Sequence, residues 1–199
     1  MEYIDPMGIM LLSALAKRKG HQCGLAVLAN GDLRDIALRF KPDVVAYSAK
    51  TGEHKYYIAA NELIKRTDSG IFTVIGGPHA TFFPETVHSH PFDALCMGEG
   101  DDAWPELLDA IEKKGDVNGI PNIVTKENFP QHGRPLLRPK RSGLDDLPFL
   151  DRELVYSTTR LGRFPMRSFM LSRGCPYKCT YCFNHTYNML YKSNGPLHV

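Results

Sequence analysis

The sequence predicts an α/β fold: a doubly wound, parallel sheet with helices on both faces. Three observations predict it. Apolar runs without polar alternation, Val44-Val45-Ala46-Tyr47-Ser48 and Phe72-Thr73-Val74-Ile75, read as strands buried on both sides. Segments of helical period lie between such runs, clearest where Trp104, Leu107, Leu108 and Ile111 recur at intervals of 3, 1 and 3. The runs then end in small residues, Ser48-Ala49-Lys50-Thr51, Gly76-Gly77 and Gly98-Glu99-Gly100, as strands leading into crossover loops do.

Each element follows from its residues. A first helix starts with Asp5 as cap and Pro6 at the first helical position, shows Ile9, Leu12 and Leu15 on one face, and stops at Gly20. A strand over 24–28 and a short helix over 32–40 precede the strand at 44–48. The next helix, over 54–66, places Tyr57, Ala60 and Ile64 on one side. Strands at 72–75 and 94–97 follow, then the helix of Trp104. Residues 119–135 read as an edge strand and turn, and 136–151 as a proline- and charge-rich linker. Its basic run, Arg138-Pro139-Lys140-Arg141, reads as a solvated face. A strand over 166–172 and a helix over 181–190 complete the chain. No strand precedes Pro6, where a doubly wound sheet wants its central one, so the sheet is expected to be weakened there.

Composition narrows the class. Of 199 residues, 43% are hydrophobic and 23% charged, enough for a real core. A net charge of +2 makes no case for nucleic acid, and the basic run has no interleaved aromatics. The apolar stretch 8–16 follows Glu2 and Asp5 rather than a basic segment. It is also too short for a membrane span. The five cysteines are clustered rather than spread as a disulfide framework, which points to a reducing, cytoplasmic setting.

Three of them, Cys175, Cys179 and Cys182, form C-x3-C-x2-C. Three thiolates are one ligand short of a closed tetrahedral site, and thiolate is the soft donor that iron–sulfur clusters use. His185 could instead complete a zinc site, C-x3-C-x2-C-x2-H, although zinc ligand pairs are usually set further apart. Cys23 and Cys96, in strand contexts, read as small buried residues. The strand-end glycines would let a ligand approach backbone N–H groups at the face where such sheets bind. On spacing alone, turn-making explains them equally well. His79 reads as a hydrogen-bonding residue more readily than as a metal ligand. Glu99 and Asp101 could act as an acid–base pair, but capping the following helix is the simpler role.

The run Ser172-Arg173-Gly174-Cys175-Pro176-Tyr177-Lys178-Cys179-Thr180-Tyr181-Cys182, entered from Phe169-Met170-Leu171, resembles the cluster loop of the radical S-adenosylmethionine (radical SAM) superfamily. Gly-Gly-Pro-His-Ala-Thr-Phe-Phe-Pro-Glu from Gly76, then Gly-Glu-Gly-Asp from Gly98, then the cysteines, are similar in that order to cobalamin-binding-domain radical SAM proteins. The resemblance covers nearly the whole chain. It implies a Rossmann-like, cobalamin-binding domain over 1–135, a linker over 136–154, and over 155–199 the start of a radical SAM (β/α) barrel. It implies that Ser48, Thr51, Gly76, Gly77, Gly98 and Gly100 contact the corrinoid and its dimethylbenzimidazole tail. Cys175, Cys179 and Cys182 would hold a [4Fe-4S] cluster whose open iron binds S-adenosylmethionine, with Tyr181 against the adenine.

The activity so implied is generation of a 5′-deoxyadenosyl radical for methyl transfer to, or cyclisation at, an unactivated carbon of a small-molecule substrate. Electrons would come from a ferredoxin or flavodoxin. Asp5-Pro6-Met7-Gly8 lacks the histidine of the D-x-H-x-x-G corrinoid motif, so no protein ligand to cobalt is expected. The 45 residues of 155–199 fall far short of the about 250 of a full barrel, so the resemblance implies a fragment inactive by itself. The alternative is a corrinoid-binding carrier module with a small zinc-bearing tail.

Overall fold

The frame of the molecule is a parallel ladder of three strands. A computed structural model describes residues 4–29, 31–141 and 143–191, and the backbone of 197–198. Strand β1 (Val44–Ser48) pairs with β2 (Phe72–Gly76) over five residues, and β2 pairs with β3 (Ala94–Cys96); both pairs are parallel. A two-residue strand, β4 (Ile123–Val124), closes the far edge antiparallel to β3, giving the order β1-β2-β3-β4. The parallel-dominated α/β sheet expected from the continuous apolar runs is what forms.

Helices precede and separate the strands. They are α1 (Met7–Arg18), α2 (Leu33–Phe40), α3 (His54–Thr67), the short α4 (Pro78–Phe82) and α5 (Thr86–Ser89), and α6 (Ala103–Glu112). After the linker come α7 (Arg152–Tyr156), a 3-10 turn (Arg160–Arg163), β5 (Arg173–Gly174), α8 (Phe183–Leu190) and β6 (Leu197–His198). Alternation along the strands feeds two cores. Ile75 and Leu95 point to one face, with Tyr47, Val87, Phe92 and Met97. Val74 and Ala94 point to the other, with Ala103, Leu107 and Ile123. A third cluster, Met10 with Val155 and Leu161, joins α1 to the segment after the linker.

Several expected elements differ. Residues 24–28 form no strand: Leu25 packs against the Met10, Val155 and Leu161 cluster, and Gly24 is close to the Phe40 ring. Among the described residues β1 is paired only on its β2 side, and Ala46 and Ser48 in it are exposed. An apolar run becomes a strand only where a ladder partner satisfies its backbone. The same reason applies to 166–172, which is not a strand. There Phe169 and Leu171 are 79% and 90% exposed, and only Arg173 and Gly174 pair, antiparallel to β6.

Asp5 does not cap α1, whose N-cap is Pro6 with no side-chain bond. Its carboxylate instead accepts from the Ser168 amide (2.8 Å) and the Tyr156 hydroxyl (2.9 Å), beside Arg152 (3.3 Å). Gly20 does end the helix turn, at φ +94°. The basic linker run is not a free solvated face. Arg138 pairs with Glu106 (2.5 Å), Arg141 with Asp102 (2.6 Å), and Lys140 donates to the Asn188 side chain (2.9 Å). Among the described residues no helix is long and apolar enough to cross a membrane.

Candidate functional site

The carboxyl ends of β1 and β2 interlock through Gly77. The Ala49 amide donates to the Gly76 carbonyl (2.9 Å), and the His79 amide donates to the Ala49 carbonyl (2.9 Å). Gly77 has φ +89°, and a Cβ there would stand 2.9 Å from both Ala49 N and Ala49 O and 3.1 Å from Ser48 Oγ. Only glycine combines that conformation with that approach. The junction brings together Ser48, Gly76 and Gly77, while Thr51 lies three residues on and its carbonyl contacts the His54 ring. Ser48, Lys50 and Thr51 are exposed, and the space around Gly52 is open.

Two imidazoles stand beside this junction. The His54 ring stacks on His79 at 4.1 Å, and His79 stacks on Phe83 at 5.2 Å. His79 is buried. Its Nε2 lies 3.4 Å from Thr86 Oγ1, while its buried Nδ1 has no partner. Burial first, and then the neighbouring His54, hold the His79 pKa below the usual histidine value, so the ring stays neutral. A buried nitrogen without a protein partner is uncommon and marks this strand-end loop as a place where a polar group from outside the chain fits.

The end of β3 is packed differently. Gly98, at φ +68°, donates to Thr81 Oγ1 (2.9 Å), and the Tyr191 hydroxyl occupies the space a Cβ would need. The Glu99 amide donates to that same hydroxyl (2.7 Å). Gly100 lies against Leu12, where a Cβ would be 3.3 Å from a methyl carbon. Gly77, Gly98 and Gly100 therefore all face protein atoms, whereas Ser48 and Thr51 are exposed.

The cysteine segment folds over this end. Cys175 is half-buried and its carbonyl accepts from Asn188 Nδ2 (3.1 Å); Cys179 is exposed; Cys182 caps α8 and donates its amide to the Cys179 carbonyl (3.1 Å). Tyr181 is 90% exposed, and Phe183 packs edge-on against Phe82 of α4 at 6.0 Å. Among the described residues the metal-type donors that converge within 4.8 Å of one another are His21, Asp109 and Glu112; the cysteines and His185 do not converge so. Cys96 is half-buried rather than fully buried; it faces Gly100, and its thiol is pushed up to about 12, first by desolvation and then by the Asp101 carboxylate, which keeps it protonated. Cys23 lies outside any strand, with its sulfur 3.8 Å from the Ser13 carbonyl.

Contacts across this end escape sequence reasoning. Asp101 does not cap α6; its carboxylate pairs with Arg173, which also lies 3.6 Å from Glu99. Lys140 stands over the rings of Tyr187 and Tyr191 at 5.6 and 5.3 Å. Burial, helped by Tyr191, drives the Tyr187 hydroxyl pKa far above its usual value. No local spacing announces these pairs, because Asp101 and Arg173 are 72 residues apart.

The family model for the B12 binding domain matches residues 2–108. The chain belongs to that family. Its kinship with the B12-binding radical SAM proteins also shows among its relatives. An uncharacterized methyltransferase of Pyrococcus horikoshii is 32% identical over 185 residues, covering 89% of this chain and 40% of that protein. The cobalamin-dependent radical SAM methyltransferase TokK of Streptomyces tokunonensis is 27% identical, covering 71% and 22%. The B12-binding chain thus spans well under half the length of these relatives. In fold it is similar to the cobalamin-dependent S-adenosylmethionine radical enzyme OxsB, solved with aqua-cobalamin and S-adenosylmethionine bound. The TM-score is 0.69 at 17% identity, over 89% of this chain and 26% of that one.

Proposed function

We propose that residues 1–135 bind the corrinoid and that 136–154 join them to a segment, 155–199, whose Cys175, Cys179 and Cys182 hold a [4Fe-4S] cluster. The whole would serve a radical SAM enzyme that methylates, or closes a ring at, an unactivated carbon of a small molecule. Such enzymes work in a reducing cytoplasm and draw electrons from a ferredoxin or flavodoxin. The observation that carries this reading is that the thiol segment and the corrinoid-type glycine junction share one end of the sheet. Arg173, two residues before Cys175, reaches Asp101 in the loop after β3, and Tyr191 of the same segment reaches Gly98.

The chain's residues suit these roles. Gly77 lets the ends of β1 and β2 close backbone to backbone, which fixes the strand-end loops among which a flat heterocycle would lie. Neutral His79 offers Nδ1 to a polar edge of that ligand. Ser48 and Thr51 offer hydroxyls on the exposed side. Exposed Cys179 and half-buried Cys175 and Cys182 are free thiols of the soft class a cluster takes. Tyr181 presents a free aromatic face for an adenine ring. Once bound, a cluster with an open iron supplies the electron that cleaves S-adenosylmethionine, and a corrinoid supplies a methyl carrier.

Anaerobic reconstitution tests this directly. The expected result is about four irons with matching sulfide per chain, a cluster electron paramagnetic resonance signal perturbed by S-adenosylmethionine, and one bound cobalamin by absorbance. Uptake of a single zinc through the cysteines and His185 would favour a carrier module instead.

A further inference from the structure

We infer that Asp101 is a positioning residue for the cysteine loop: through Arg173 it sets where the three thiols stand relative to the ends of β2 and β3. The inference rests on the cluster-and-corrinoid reading above and adds a determinant of the distance between the two cofactors.

Asp101 is 7% exposed, yet it makes no local bond of the kind its place before α6 invites. The Trp104 amide is taken by the Gly100 carbonyl, and the N-cap, Asp102, makes no side-chain cap bond and pairs instead with Arg141. Both Asp101 oxygens are met by one guanidinium: Arg173 Nη1 bonds one and Nη2 lies 3.3 Å from the other. A two-pronged contact of this kind fixes direction as well as distance. A carboxylate buried to this degree is costly to leave unpaired, so Arg173 is held firmly.

Arg173 is also half of the two-residue strand β5, and one residue separates it from Cys175. Its backbone therefore carries the constraint straight into the thiol loop. The helix that follows the loop is tied separately. Asn188 of α8 donates to the carbonyl of Cys175, the first cysteine, and Tyr191, after α8, accepts from the Glu99 amide. Asp101 and Glu99 belong to one loop, so the cysteine segment is registered against the β3 end from both sides.

The test compares Asp101→Asn, Arg173→Lys and the charge-exchanged pair Asp101→Arg with Arg173→Asp in the full chain. On the unloaded chain, amide hydrogen exchange is followed across 173–182. On the anaerobically loaded chain, the magnetic coupling between reduced cluster and Co(II) is followed by electron paramagnetic resonance. Asp101→Asn is expected to speed exchange about tenfold and to alter the coupling while iron and corrinoid contents stay at the unsubstituted level. The exchanged pair is expected to restore both readouts. Arg173→Lys, which keeps the charge and loses the fork, should fall between, and it decides the matter if the asparagine variant fails to fold.

Exchange unchanged in Asp101→Asn, or no recovery in the exchanged pair, would overturn the inference. Normal loading with the same coupling in every variant would overturn the positioning role and leave the cofactor reading standing. The expected exchange pattern in a chain that takes up neither iron nor corrinoid would overturn the cofactor reading, and with it the positioning of a cluster.

Discussion

Gly77 shows how much a single backbone position can carry. A side chain there would need a left-handed backbone and would press on Ala49 N and O at 2.9 Å. Gly77→Val is therefore expected to destabilise the domain by about 3 kcal/mol. Gly52→Ala, with nothing within 4 Å, is expected to be neutral. Denaturant unfolding of the two variants checks this, and equal midpoints would contradict the close packing at Gly77. The thiols make the complementary case. Replacing Cys175, Cys179 and Cys182 together with Ala is expected to abolish iron uptake on reconstitution while leaving the far-ultraviolet circular dichroism in place. These three side chains are partly or fully exposed and hold up no core. Retained iron in that variant would sink the assignment.

At the scale of elements, α1 is fastened to the region after the linker by two carboxylates. Asp151 accepts from Ser13 (2.6 Å) and Lys17 (2.7 Å) of α1, and Asp5, just before that helix, holds Ser168, Tyr156 and Arg152. Burial alone would raise both carboxyl pKa values. For Asp5 the Ser168, Tyr156 and Arg152 contacts outweigh it, and for Asp151 the Lys17 and Ser13 bonds do, so both end below the usual value. A depressed folded pKa means that the stabilisation is full above the unfolded value, near pH 4, and is lost as pH falls through the folded one. Asp5→Asn is expected to cost about 1–3 kcal/mol at neutral pH and to flatten the acid limb of stability below about pH 4. Urea unfolding at a series of pH values reads both effects, and an unchanged acid limb would count against the role given to Asp5.

The same scale shows what the sequence could and could not reveal. Strands 44–48, 72–76 and 94–96 were legible because their apolar runs are continuous and find ladder partners, although only β2 and β3 are buried on both faces, and α6 was legible from its period. The runs at 24–28 and 166–172 carry equally strand-like residues, yet forming a strand depends on a neighbour, and no local pattern encodes one. Site residues divide likewise. Glycines at strand ends announce close approach, but not whether the visitor is a ligand, as the space beside Ser48 permits, or Tyr191, as at Gly98. Asp101 looked like a helix cap because capping is local. Its partner Arg173 is visible only once the chain is folded.

For the whole molecule, the sheet and the cysteine segment meet at one end but rest on different forces. The sheet is held by two apolar cores, and the segment by ion pairs, tyrosine hydroxyls and edge-on ring contacts. Corrinoid uptake should therefore survive loss of the cluster. The variant with Cys175, Cys179 and Cys182 all changed to Ser is expected to bind cobalamin within about threefold of the unsubstituted affinity, a difference under 1 kcal/mol. Titration followed by absorbance checks it, and abolished binding would mean that the two sites form only together.

Strand β1 carries a last consequence. Its outer margin is a row of backbone donors and acceptors with no ladder mate among the described residues. Such a margin is a template for another extended chain. A concentrated solution of this polypeptide would be prone to zip copies together along Val44–Ser48, and a fused or co-expressed strand laid there would serve as a plug against aggregation.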